Sequence, residues 1–212
     1  MQNHDQVGNR AFGERIAALA ADEAVHAATA LLLLAPEPPL LFMGQEWGCA
    51  RPFPFFCDFG PDLAERVVAG RREEFADFPE FRDPAARERI PDPMADATFA
   101  AAVLDWDAPA RPAHSRWLNI HRQLLALRHR ELVPRLRGPV HDRGGQLHGA
   151  TALTAAWTLG DGSRLAVTAN LGEAPVDGVS LPGGRVLYTT HPADTAAAAI
   201  RLPPWSVVSV SG

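Results

Sequence analysis

The sequence predicts two fold classes in succession, α/β over residues 1–135 and all-β over residues 136–212. Three observations predict it. Residues 12–34 repeat apolar side chains near helical spacing and lead, past a proline stop, into a short apolar run. Residues 117–132 carry a second apolar stripe of helical period. After Pro134 the pattern changes to short alternating or β-branched runs punctuated by Gly and Pro.

Phe12, Ile16, Leu19, Ala20, Ala27, Leu31 and Leu34 define the first stripe. Pro36, Pro38 and Pro39 end it, because proline lacks the amide donor and clashes with the preceding turn. Leu40-Leu41-Phe42-Met43, closed by Gly44, then reads as a buried parallel strand. Residues 44–114 show no sustained period and are rich in proline and aromatic residues, with short helical patches near residues 62–75 and 83–89. A connection of this length is usually functional. Ser115 reads as the N-cap of a helix whose stripe is Trp117, Ile120, Leu124, Leu127 and Leu132. Strands are expected at 153–159, 164–170, 185–190 and 205–210, with turns at Gly160-Asp161-Gly162, Gly172 and Pro182-Gly183-Gly184, and hence an antiparallel β domain.

Composition narrows the function classes. A net charge of −5 leaves no electrostatic footprint for nucleic acid or an anionic membrane, so neither is expected as a partner. Every basic residue other than His is Arg. Cys49 and Cys57 stand close together without further ligands nearby, so two free thiols are expected, with no metal and no cofactor. Gln2 begins a polar N-terminus unlike a signal peptide, and the longest apolar run falls well short of the roughly 20 residues that span a bilayer. A cytoplasmic location is expected.

Candidate chemistry concentrates in Asn3-His4-Asp5-Gln6, where an imidazole, a carboxylate and two amides share one turn. Asp5 suits a general acid or base, a metal ligand, or an acceptor for two vicinal sugar hydroxyls, and His4 could donate to a neighbouring hydroxyl. The plainer reading makes Asn3 and Asp5 helix caps and His4 a buried, satisfied side chain. Context favours a site. The polar turn precedes a helix, and the apolar run Leu40–Met43 ends in Gly44-Gln45-Glu46-Trp47-Gly48. Polar residues just past strand ends mark the active face of a (β/α)8 barrel. For Trp47, Phe53, Phe55 and Phe56, ordinary packing under a long loop is the alternative.

The run Gln2-Asn3-His4-Asp5-Gln6-Val7-Gly8-Asn9-Arg10 resembles a conserved region of the α-amylase superfamily of glycoside hydrolases. Leu40–Gly48, Pro52-Phe53-Pro54-Phe55-Phe56, Gly70-Arg71-Arg72-Glu73-Glu74-Phe75, Arg89-Ile90-Pro91-Asp92-Pro93 and Leu104-Asp105-Trp106 resemble, in order, its trehalose-releasing branch. The resemblance implies the C-terminal part of a (β/α)8 barrel followed by an antiparallel β-sandwich. The implied reaction is hydrolysis of the α-1,4 bond next to the terminal trehalose of maltooligosyl trehalose, with retention, which needs a carboxylate nucleophile and a carboxylic acid/base. It makes Asp5 the third, transition-state-stabilising carboxylate, and Asn3, His4, Glu46, Trp47 and Phe55 substrate-binding residues. The substrate is then maltooligosyl trehalose or a related α-glucan.

The sequence departs from the pattern in places. No segment resembles the regions that carry the nucleophile and the acid/base, so the chain alone is expected to be inactive and Met1 to be an internal methionine. Gln45 stands where the family often has Glu, and Cys57-Asp58-Phe59 replaces Thr-Asp-His. Two alternatives remain: another member of the superfamily, such as a branching enzyme or an amylase, or a non-catalytic glucan-binding protein built on residues 136–212.

Overall fold

All strand pairing is antiparallel in the computed structural model, which describes residues 2–192, 197 and 199–212. The reading of Met1 lies outside these residues. The chain divides into two units, residues 20–39 with 118–212, and residues 2–19 with 40–117.

In the first unit a five-stranded sheet has the order β1-β2-β3-β7-β5. Its strands are β1 (His141–His148), β2 (Ala152–Thr158), β3 (Arg164–Asn170), β5 (Arg185–Thr189) and β7 (Ser206–Ser211). A two-stranded ribbon, β4 (Val176–Val179) with β6 (Ile200–Leu202), covers one face. Val179, Ile200 and Leu202 from the ribbon pack on Ala152, Val208 and Val210 from the sheet. β2, β3, β5 and β7 match the expected strands to within one or two residues. β1 was not legible: His141-Asp142-Arg143-Gly144-Gly145-Gln146-Leu147-His148 is polar, exposed and bulged between Asp142 and Gly145. Charges and bulges of this kind are how edge strands discourage further pairing.

The helix α3 (Asp22–Leu34) belongs to the same unit. Asp22 and Glu23 in its first turn favour the positive end of the helix dipole. Val25, Ala27, Ala30, Leu33 and Leu34 are buried, and the chain turns extended at Ala35 before Pro36. The Arg128 guanidinium caps it, donating to the carbonyls of Leu33, Ala35, Pro36 and Glu37. The single helix expected over 12–34 is corrected. Gly13 adopts φ +67, a short α2 (Ile16–Leu19) follows, and Ala21 is extended before α3 begins.

The second unit holds α1 (His4–Gly8), α4 (Pro61–Glu73), α5 (Pro84–Glu88) and α6 (Asp96–Ala102) between ordered loops. α7 (Pro112–Leu127) starts at a proline in the first helical position, not at Ser115, whose hydroxyl instead donates back to the Pro112 carbonyl. The buried strand expected at residues 40–43 is also corrected. Leu40 and Met43 are 61% and 45% exposed, and no described strand runs parallel beside them. The Phe42 and Met43 carbonyls instead accept from Gln45 N and Arg15 Nη1. The barrel portion is therefore not displayed as a barrel; the described sheet is the antiparallel one. No helix is long and apolar enough to cross a membrane.

Two stability tests follow from the first unit. Arg128→Met leaves four carbonyls without their donor, and urea unfolding should register a loss of about 3 kcal/mol, with Arg128→Lys recovering only part of it. Glu131 accepts hydrogen bonds from Arg130 and Arg185, which hold its carboxyl below the ordinary 4.5. A depressed folded-state pKa stabilises the protein above the unfolded value and loses that contribution as pH falls through the folded one. The wild-type chain should therefore lose more stability on acidification below about pH 4.5 than Glu131→Gln does, and identical acid limbs would contradict this.

Candidate functional site

The turn at residues 3–10 is a capped helical turn. Asn3 is extended at φ −125, and its side-chain oxygen accepts from the amides of Asp5 (2.7 Å) and Gln6 (3.3 Å). The Gln6 side chain accepts in return from the Asn3 amide at 2.8 Å, which completes a capping box. The plainer reading therefore holds for Asn3, whose oxygen serves the backbone. It fails for His4, which is exposed. The His4 and Asp5 side chains are 71% and 59% exposed, with Nε2 and Oδ1 3.1 Å apart. An imidazole and a carboxylate thus face outward together from a turn that is fixed by other groups.

One buried arginine, Arg71, fixes it, and a second, Arg15, holds the loop segment beside it. Arg71, on α4, donates through Nη2 to the carbonyls of Gly8 and Arg10 at 2.8 Å each and through Nη1 to Glu74 at 2.8 Å. Its guanidinium lies over the Phe75 and Phe55 rings, at 4.7 and 5.5 Å. Arg15 donates to the carbonyls of Arg51 (2.6 Å) and Met43 (2.8 Å) and lies 4.8 Å over the Phe42 ring. Burial lowers the Arg15 pKa, against the opposing pull of Cys49 and Glu46. Phe53 N donates to the Gly13 carbonyl at 2.8 Å, and a Cβ on Gly13 would meet Pro54 N at 2.2 Å. Only glycine fits that crossing. Segments 8–15 and 43–55 are therefore held side by side.

The second segment turns tightly at residues 44–48, with Gly44 at φ +87 and Gly48 at φ +64. A Cβ on Gly48 would meet the Trp117 ring at 2.6 Å. Trp47 is 4% exposed, its carbonyl accepts from His114 Nδ1 at 2.8 Å, and its ring packs 5.6 Å from that of Trp106. Glu46 is half-buried and Phe55 is 38% exposed. Among the described residues, no hydrogen bond, ion pair or ring contact joins Asp5 to Glu46, Trp47 or Phe55. The structure thus pairs His4 with Asp5, and ties Phe55 to their turn through Arg71. A cavity of about 520 Å³ opens beyond the turn between Arg10, Phe12, Phe75 and Phe81, and neither His4 nor Asp5 lines it.

Sequence reasoning named Arg71 only within a motif and gave it no role. Its contacts join residues 63 and 61 apart, which no local period reveals. Cys49 and Cys57 are free thiols, and burial pushes the Cys57 pKa up. No group of three or more His, Cys, Asp or Glu among the described residues is placed to hold a metal ion.

The chain is 33% identical over 207 residues to malto-oligosyltrehalose trehalohydrolase of Brevibacterium helvolum, a match covering 97% of this chain and 33% of that protein. It is 47% identical over 132 residues to the Arthrobacter ramosus enzyme of the same name, covering 62% of this chain and 22% of that one. The chain is a relative of malto-oligosyltrehalose trehalohydrolase. It spans about a fifth to a third of the length of these curated relatives. Residues 141–209 match a domain of unknown function, DUF3459, which is the C-terminal domain of the α-amylase family. Among solved structures, a Salmonella typhimurium protein provisionally assigned as an alpha amylase superposes with TM-score 0.85 at 36% identity, over 100% of this chain and 34% of that one. Isomaltulose synthase of Erwinia rhapontici shares the fold, with TM-score 0.55 at 19% identity, over 89% of this chain and 38% of that one.

Replacing Arg71 by Met should release the 3–10 turn. Hydrogen exchange at the Val7 and Asn9 amides, which donate to the Asn3 and Asp5 carbonyls, should speed up, and the unit should lose about 3 kcal/mol of stability. Unchanged exchange there would show that the capping box alone fixes the turn.

Proposed function

We propose that this chain forms part of a retaining glycoside hydrolase acting on maltooligosyl trehalose, cutting the α-1,4 bond next to the terminal trehalose and releasing trehalose. The observation that carries the reading is the outward-facing His4–Asp5 pair, 3.1 Å apart on a turn fixed by a capping box and by Arg71. Asp5 is the transition-state stabiliser. It accepts from hydroxyls of a sugar distorted toward the oxocarbenium-like state, and it contributes only where those bonds strengthen in the transition state. His4 donates to a neighbouring hydroxyl, with Asn3 positioning both; Glu46 and Phe55 contact the glucan, with the buried Trp47 packed beneath. Residues 1–135 act with the catalytic domain and residues 136–212 form the C-terminal sandwich. The protein works in the cytoplasm, with no cofactor. No residue of the chain is assigned as nucleophile or acid/base, so alone it gives no turnover. An amylase-like α-glucan hydrolase is the second reading, favoured by the Salmonella typhimurium structure.

The test replaces the matching segment of the Brevibacterium helvolum enzyme with this chain. The chimera should release trehalose from maltotriosyl trehalose, and Asp5→Asn should lower its kcat/KM by about a hundredfold or more. Short maltodextrins from amylose without trehalose would replace this reading by the second one. Trehalose release by the 212-residue chain alone would overturn its assigned inactivity.

A further inference from the structure

The Gln45–Trp47 turn concentrates unsatisfied hydrogen-bonding capacity. The Gln45 side-chain oxygen and nitrogen and the Trp47 indole nitrogen are all buried without a hydrogen-bond partner among the described residues. Buried polar atoms are nearly always paired, so three in one turn call for an explanation. The ring packed against Trp47 belongs to Trp106, which at 71% is among the most exposed large side chains described. An indole left this open forfeits much apolar burial, unless something polar enough to leave its surroundings solvated covers its face.

The segment beside Trp106 is rigid and charged. Arg51 Nη1 donates to the Val103 carbonyl at 2.5 Å. The Asp105 carboxylate accepts from the Asp107 amide at 3.1 Å and from Arg111 Nη2 at 2.8 Å. The Asp107 amide, and then Arg111, hold the Asp105 carboxyl below its ordinary pKa, so it stays an acceptor at neutral pH. An apolar protein face laid over Trp106 would have to take the exposed Asp105–Arg111 pair out of water, which is unfavourable. A sugar would not: its apolar face covers the indole while its hydroxyls donate to the carboxylate.

We propose that Trp106 and Asp105 form a glucosyl-binding subsite above the Gln45–Trp47 turn, with Trp106 the stacking platform and Asp105 the hydroxyl acceptor. This rests on the glucan reading above and adds to it the ring that contacts the sugar. Trp47, singled out in the sequence, is the support beneath that ring.

The test titrates the 212-residue chain with maltoheptaose and with trehalose, following tryptophan emission and its quenching by acrylamide. Sugar should shield part of the emission from acrylamide in the wild type. Trp106→Ala should weaken binding by about tenfold, Trp106→Phe should retain most of it, and Asp105→Asn should weaken it severalfold. Circular dichroism confirms that each variant is folded, and a folded Trp106→Phe chain keeps the comparison informative if Trp106→Ala does not fold. Equal affinity in wild type and Trp106→Ala, or a Trp106→Phe chain that loses binding as fully as Asp105→Asn, overturns the subsite and leaves the glucan reading standing. No response of the wild type to either sugar overturns the subsite as well, while trehalose release by the chimera would still uphold the glucan reading. Binding through Trp106 in a chain whose chimera releases no trehalose would separate the two in the other direction.

Discussion

Buried guanidinium groups that donate to main-chain carbonyls are the interaction on which the ordered loops of both units depend. Arg15, Arg71 and Arg128 are 3%, 7% and 5% exposed, and their bonds to peptide oxygens outnumber those to carboxylates. A buried irregular segment must satisfy its carbonyls without a ladder or a helix, and a planar fork of five donors does this from one side chain. Lysine presents three donors from a point charge and cannot span two strands of carbonyls in the same way. Burying a cation costs free energy, which several aligned carbonyl dipoles offset. For Arg128 the four oxygens lie in the last turn of α3 and just past it, where the helix dipole already favours positive charge. Removing any one of these cations therefore strands several acceptors at once.

Local pattern decides what the sequence revealed and what it hid. β3, Arg-Leu-Ala-Val-Thr-Ala-Asn, was legible because its residues from Leu165 to Asn170 are all buried and mostly apolar or β-branched. β4 and β6 were not: Val-Asp-Gly-Val and Ile-Arg-Leu are too short to set a period, and Gly178 at φ +73 interrupts the first. The end of α3 was written in Pro36, whereas its start at Ala21 has no capping side chain to announce it. Leu40-Leu41-Phe42-Met43 was misread because an apolar run signals burial without saying what the backbone pairs with. Here the Met43 carbonyl goes to Arg15, and the segment is a loop.

The candidate site divides along the same line. Asn3 could be read as a cap because the capping box is local, three residues from end to end, although its second member is Gln6 and not the expected Asp5. The exposed His4–Asp5 pair was legible as polar chemistry but not as exposed. Arg71 was hidden because its partners at Gly8 and Arg10 lie far off in sequence. Trp106 was hidden for another reason: it stands in a recognisable motif, but nothing local says that its ring, and not that of Trp47, is the one left uncovered.

A carboxylate stabilises a developing positive charge in proportion to how little water competes with it. At 4 Å the attraction between unit charges is about 1 kcal/mol in bulk water and about 4 kcal/mol at the effective dielectric of a protein surface. Asp5, 59% exposed beside His4, sits toward the weak end of that range. What the chain does supply is pre-organisation. The capping box and Arg71 fix the backbone under Asp5, so the proposed contact with a sugar needs no backbone reorganisation. Exclusion of water must come from whatever covers the two side chains, in the proposed reading the sugar itself. The turn therefore determines where the charge stands, and its cover determines what that charge contributes. An Asp5 substitution should then act on turnover only where the cover is in place.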